Sequence, residues 1–229
     1  MTPAADPAAN DPIILVDADD REVGTMPKLA AHRDGGHLHR AFSIFIFDPA
    51  GRMLLQRRAR TKYHFGGLWT NACCSHPLPG QPLPDIAHAR LREEMGLDAP
   101  LAKLFTFTYR AHDPASGLTE HELDHVYAGT TADQPQPNPA EVDEWRWVAV
   151  AELLADVAAS PDAYTPWFKA ALADVLRAVG RGGFAAANTA RGDAPRTSPR
   201  GSIAVQGRED SPPAQGHPQG PDREDEREH

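Results

Sequence analysis

Glu120 and Glu122 stand two residues apart, so on a β-strand both carboxylates point to the same face. Like charges on one face repel, and a cation between them relieves the repulsion. Three histidines lie where a simple core does not need them. His32 and His39 flank a glycine-rich link, Asp34-Gly35-Gly36, and His76 follows Cys73-Cys74-Ser75. Three imidazoles and two carboxylates form a ligand set suited to a divalent transition metal. Each histidine taken alone is equally a surface or hydrogen-bonded residue, and the five groups are scattered over about ninety residues of chain.

Other polar residues carry two readings each. Glu94 ends a helical stretch with Arg90 four residues before it, an ordinary i,i+4 ion pair worth about 0.2–0.5 kcal/mol. Lys28, Arg58 and Lys62 are residues usually found solvated. They also lie near the candidate ligands in sequence, as a diphosphate pocket requires. Cys74 can be a small buried apolar residue, and Trp69 and Trp167 can be core.

These residues need a scaffold, and the sequence predicts one domain from residue 12 to residue 179. Strands are expected at Ile13–Val16, Ala41–Phe47, Met53–Arg57, Trp69–Cys73, Leu104–Tyr109, Glu122–Tyr127 and Trp145–Val148. The turn Asp48-Pro49-Ala50-Gly51 suggests a hairpin, and Asp113 to Gly117 forms a second polar turn. Helices are expected at Pro84–Met95, stopped by Gly96, at Val150–Val157, and from Pro166 to Val179. Strands interrupted by one helix and closed by two indicate a mixed α+β domain.

The 229 residues suffice for one good-sized core. No apolar run approaches transmembrane length, and residues 1–11, read as a flexible N-terminus, lack a secretory signal. Two adjacent cysteines, unsuited to an ordinary disulfide, suggest a reducing compartment, the cytoplasm. The net charge of −9 argues against a general nucleic-acid binder. From residue 180 to residue 229 the large apolar residues are only Phe184, Ile203 and Val205, among Gly, Pro, Ser and charges, so a disordered tail is expected.

Four ordered stretches carry a resemblance. They are Lys28-Leu29-Ala30-Ala31-His32, then Leu38-His39-Arg40-Ala41-Phe42-Ser43, then Gly67-Leu68-Trp69-Thr70-Asn71-Ala72-Cys73-Cys74-Ser75-His76-Pro77, and Tyr109-Arg110-Ala111 leading to Glu120-His121-Glu122. Together they resemble type I isopentenyl-diphosphate isomerases, over roughly Ile13 to Ala178. The resemblance implies the Nudix fold, a mixed sheet sandwiched between helices in an α/β/α arrangement. A Nudix hydrolase carries Gly-x5-Glu-x7-Arg-Glu-x2-Glu-Glu-x-Gly. Here Ser75 and Gln81 stand at the first Gly and first Glu, and Ala89-Arg90 replace the Arg-Glu pair. Only Glu93, Glu94 and Gly96 remain. A hydrolase needs those helix carboxylates to hold metals and activate water, so the departure argues against hydrolysis.

The resemblance also implies roles. His32, His39, His76, Glu120 and Glu122 would hold a first metal, manganese or zinc. Glu94, the main chain near Cys74 and the substrate diphosphate would hold magnesium. Lys28, Arg58, Lys62 and Arg90 would bind the diphosphate. Cys74 on one side, and Glu122 with Tyr109 on the other, would move protons, with Trp167 stabilising a carbocation. Choosing Cys74 over Cys73 rests on spacing to His76, and Cys73 is read as packing. The implied reaction interconverts isopentenyl and dimethylallyl diphosphate, feeding isoprenoid biosynthesis. The only partner expected is that small molecule, with the enzyme a monomer or weak dimer. The competing readings are a Nudix hydrolase of a nucleoside or other diphosphate, and a catalytically silent binding module.

Overall fold

The computed structural model describes residues 10–183. The first nine residues and residues 184–229 of the expected tail lie outside the described residues, while residues 180–183, where that tail was expected to begin, belong to a short helical turn. The chain runs β1 (Pro12–Val16), β2 (Glu22–Pro27), α1 (Lys28–Ala31), β3 (His39–Phe47), β4 (Met53–Arg58), β5 (Trp69–Thr70), β6 (Cys73–Ser75), α2 (Leu83–Met95), β7 (Leu101–His112), β8 (Thr119–Thr130), β9 (Val142–Val148), α3 (Val150–Ala159) and α4 (Pro166–Ala178). Among the described residues no helix is long and apolar enough to cross a membrane.

The expected mixed α+β architecture is present. β3 is central: Ala41 to Phe47 is buried throughout, as an apolar run covered on both faces must be. β8 runs parallel to it along its whole length, from His39↔Glu122 to Phe47↔Thr130, while β6 pairs with it antiparallel at Phe42 to Ile44. Two hydrophobic clusters flank the sheet. On one face α2 contributes Ala87, Leu91 and Met95. On the other, α3 contributes Leu153, and α4 contributes Trp167, Phe168, Ala171, Leu172 and Val175.

The buried stripe of α2 includes Glu94 beside Leu91 and Met95, so the helix period carries one carboxylate inward. Gly96 ends the helix at φ 62°, and a Cβ there would lie 2.6 Å from the Gln136 carbonyl oxygen. Only glycine meets both demands.

Three expectations change. The stretch Trp69–Cys73 is not one strand: β5 pairs with β4 and β6 with β3, and Asn71 turns inward between them. The Asp48–Gly51 turn forms, but β3 and β4 pair only at Phe47↔Met53, and β4 finds its long partner in β9. β2 and α1 were not expected. β2 is exposed along nearly all its length and α1 is a single turn, so neither writes a hydrophobic period into the sequence.

Candidate active site

Strand register assembles the centre. His39 opens β3 directly opposite Glu122 of β8. β6 lies on the other edge of β3 and delivers Cys74, with His76 just beyond it. His32 caps α1. One donor atom from each of His32, His39, His76, Glu120 and Glu122 lies within 4.8 Å of all the others. His76 Nε2 is 2.9 Å from Glu122 Oε1, His39 Nε2 is 3.2 Å from His76 Nε2, and His32 Nε2 is 2.8 Å from Glu120 Oε2.

The ring orientations say what such a cluster can hold. His32 Nδ1 sits 2.6 Å from the Lys28 carbonyl and His39 Nδ1 sits 2.7 Å from the His37 carbonyl. A carbonyl can only accept, so each ring carries a proton on Nδ1 and turns Nε2 toward the cluster. His32 Nε2 and Glu120 Oε2 are buried and neither has a hydrogen-bond partner, although they face each other. A contact this short needs a positive charge between the two atoms, either a proton on Nε2 or a metal ion; burial lowers His32, but the Glu120 charge outweighs it and raises the imidazole above its ordinary value. A divalent metal fits that donor set. Burial raises the Glu120 carboxyl, but the His64 and His32 charges outweigh it and hold the group well below its usual range. Burial and Glu120 raise Glu122, and hydrogen bonds from His39 and His76 bring it below its usual range.

Beside this cluster the Cys74 sulfur receives a hydrogen bond from the Trp167 indole N–H at 2.9 Å and donates to Asn71 Oδ1 at 3.0 Å. Asn71 is fixed in turn, since its amide donates to the Ile44 and Cys73 carbonyls. Burial, with the Asp124 carboxyl behind it, pushes the thiol up to about 12. The thiol therefore carries its proton at neutral pH. Across the cavity the Tyr109 hydroxyl donates to Glu122 Oε2 at 2.6 Å. Burial and the Glu122 charge raise Tyr109 well above its usual value.

A family of known proteins shares this chain's pattern. The NUDIX domain family matches residues 37–168. An isopentenyl-diphosphate Delta-isomerase 2 from Aromatoleum aromaticum is 52% identical over 166 residues, covering 72% of this chain and 87% of the relative. An isopentenyl-diphosphate Delta-isomerase from Nocardia farcinica is 53% identical over 165 residues, covering 72% and 92%. The chain belongs to the isopentenyl-diphosphate Delta-isomerase family, within the Nudix superfamily. A solved structure, that of DR0079 from Deinococcus radiodurans, covers 73% of this chain and 98% of its own at TM-score 0.58. At 20% identity it speaks for the fold alone.

In this isomerase-family chain the remaining expected residues converge on the same cavity. Lys28, Arg58, Lys62, Cys74, His76, Arg90, Glu94, Tyr109, Glu120, Glu122 and Trp167 all line it, while His32 and His39 are buried behind its wall. Arg58 stacks 5.3 Å over the Trp167 ring, and its Nε is buried without a hydrogen-bond partner. Lys28 lies 5.2 Å over the Tyr63 ring. Glu94 accepts from Arg90 at 2.7 Å and from Gln56 at 3.1 Å. Cys73 is fully buried among apolar side chains, the place a packing residue takes.

Sequence reasoning missed three participants. His64 contacts the second oxygen of Glu120 and lines the cavity. No spacing signals it, because it sits in the loop between β4 and β5. Asp124 is fully buried behind the thiol, held by Ser43 at 2.7 Å, and burial and Glu122 raise it well above the carboxylate range. Its signal was legible: Glu120, Glu122 and Asp124 continue one alternation on one strand face. Asn71 lay inside a quoted motif but had no role assigned.

Proposed function

We propose that this chain interconverts isopentenyl diphosphate and dimethylallyl diphosphate by a 1,3-proton shift. One observation supports this reading above the others: a protonated thiol and a tyrosine–carboxylate pair line one cavity beside a buried cluster of three histidines and two glutamates. The reaction needs a proton added at the terminal methylene and another removed from the allylic methylene. Cys74 is one proton-transfer group, and Glu122 with Tyr109 is the other. The protein ends each turnover with one group short of a proton and the other holding an extra one, and exchange with solvent resets both.

The intermediate is a tertiary carbocation. Trp167 offers its ring to that charge, and its N–H holds the Cys74 sulfur in place. Lys28, Arg58, Lys62 and Arg90 bind the diphosphate.

His32, His39, His76, Glu120 and Glu122 would hold manganese or zinc. Such an ion would supply positive charge that sets the proton affinity of Glu122. Glu94 would be the protein carboxylate for magnesium, whose preference for oxygen ligands suits a diphosphate substrate. The enzyme acts in the cytoplasm as a monomer or weak dimer, feeds isoprenoid biosynthesis and binds neither nucleic acid nor membrane.

The test is an assay of the purified full chain with isopentenyl diphosphate and magnesium. Dimethylallyl diphosphate should accumulate until the two isomers equilibrate. Release of phosphate from nucleoside diphosphates, without isomerisation, would sink the reading and favour a hydrolase.

A further inference from the structure

Glu141 immediately precedes β9, and its backbone is pinned: its N–H donates to the Asn138 carbonyl, and its own carbonyl accepts from Ala59 N–H, both at 2.9 Å. Its side chain therefore reaches out from a fixed base. One carboxylate oxygen pairs with the Lys62 ammonium, and the other lies 3.6 Å from the Arg90 guanidinium. Arg90 also bonds Glu93 at 2.6 Å and Glu94 at 2.7 Å, but both of those acids belong to its own helix. Glu141 comes from a different segment and bridges Lys62 in the β4–β5 loop to Arg90 on α2.

The position of that bridge matters. The cavity beside Cys74 has a volume of about 50 Å³. A second cavity of about 440 Å³ shares Lys62 and Arg90 with it. Glu141 lines the second one. The Lys62–Glu141–Arg90 bridge therefore lies on the wall that the two cavities share. All three side chains are about one-fifth exposed, so they are neither fully solvated nor locked in a core.

We infer that Glu141 is a built-in competing anion, occupying Lys62 and Arg90 until a substrate diphosphate displaces it. The inference rests on the reading above that Lys62 and Arg90 receive the diphosphate. Two cations facing one chamber repel each other, and a single carboxylate between them relieves that repulsion while the site waits. A diphosphate carries more charge and more acceptor oxygens than a carboxylate, so it wins the exchange. Glu141 then swings away and leaves Lys62 and Arg90 to the diphosphate. The residue weakens anion binding and so disfavours weaker anions.

The experiment is calorimetric titration of inorganic pyrophosphate, with magnesium, into the full-length wild-type chain and Glu141→Gln. The expected result is roughly tenfold tighter binding by Glu141→Gln, because the internal competitor is gone. Lys62→Met, made in both backgrounds, should lose more affinity in the Glu141→Gln background, since Lys62 is then unshared. Unchanged or weaker pyrophosphate binding by Glu141→Gln overturns the inference, and means that Glu141 is a rim ion pair or itself organises the anion site. Isomerisation is assayed in parallel. Turnover by both proteins with unchanged affinity sinks the competitor alone. A wild type that neither binds pyrophosphate nor turns over sinks the functional reading as well.

Discussion

The histidine–glutamate cluster and the cationic wall of the cavity use charge in opposite ways. In the cluster, three histidines and two glutamates are at most about one-tenth exposed. Strand register fixes His39, Glu120 and Glu122, while His32 caps α1 and His76 follows β6. His32 Nε2 and Glu120 Oε2 face each other at 2.8 Å, a contact that a proton or a metal ion bridges. At the cationic wall, Lys62 and Arg90 already hold acids from the same chain. The cluster is a buried donor set suited to a cation and held mainly by strands. The cationic wall is a set of partly exposed ion pairs on a loop and a helix surface, open to exchange with an outside anion.

The largest effect should come from removing a proton-transfer group. Cys74→Ser and Glu122→Gln should each lower kcat by about 10³-fold or more, with far-UV circular dichroism unchanged. Normal turnover by either variant breaks the assignment of chemistry to this wall of the cavity.

Chelation separates the cluster from the cationic wall. It should abolish activity reversibly and lower Tm, because an ion that binds only the folded state stabilises it. For a metal at a hundred times its Kd the shift is roughly 5–10 °C. Scanning calorimetry with and without chelator reads this directly. An unchanged Tm would mean that the five donors are satisfied without a metal.

The smallest effect sharpens the side of the cationic wall. Asp113 accepts the Phe65 N–H at 3.1 Å and so clasps the β4–β5 loop that carries Lys62 and His64. Burial raises its carboxyl, but the Phe65 N–H, the Ser116 hydroxyl and the Ala115 N–H outweigh it and hold the group below its usual value. The folded pKa is thus below the unfolded one. The stabilisation is fully present above the ordinary Asp value and is lost as pH falls through the folded value. Asp113→Asn should lower Tm by roughly 2–4 °C at neutral pH, on the basis of about 1 kcal/mol for one such bond. The gap between variant and wild type should close in strong acid. A gap that persists there would show that the clasp does not depend on the charge.

Much of this site was legible from residue types and order. The alternation of Glu120 and Glu122 placed two carboxylates on one face, whereas Glu94, read as an ion pair with Arg90, lies in addition on the buried stripe with Leu91 and Met95. The run from Ala41 to Phe47 announced a strand, which the structure covers on both sides. His64 was not legible, because its contact with Glu120 depends on how the β4–β5 loop folds back over the sheet. The division of Trp69 to Ser75 into two strands was hidden as well: the local sequence favours extended backbone throughout, and only the competing partners β4 and β3 decide where it breaks.

By itself the sequence determined which side chains carry charge and, β2 and α1 excepted, where the main extended and helical segments lie, since these follow from period and composition within a few residues. The tertiary structure alone decided that β3 and β8 run parallel with His39 against Glu122, and that Glu141 reaches Lys62 and Arg90. Those choices join residues dozens of positions apart. Their energy lies in burial and pairing that exist only once the whole sheet has closed.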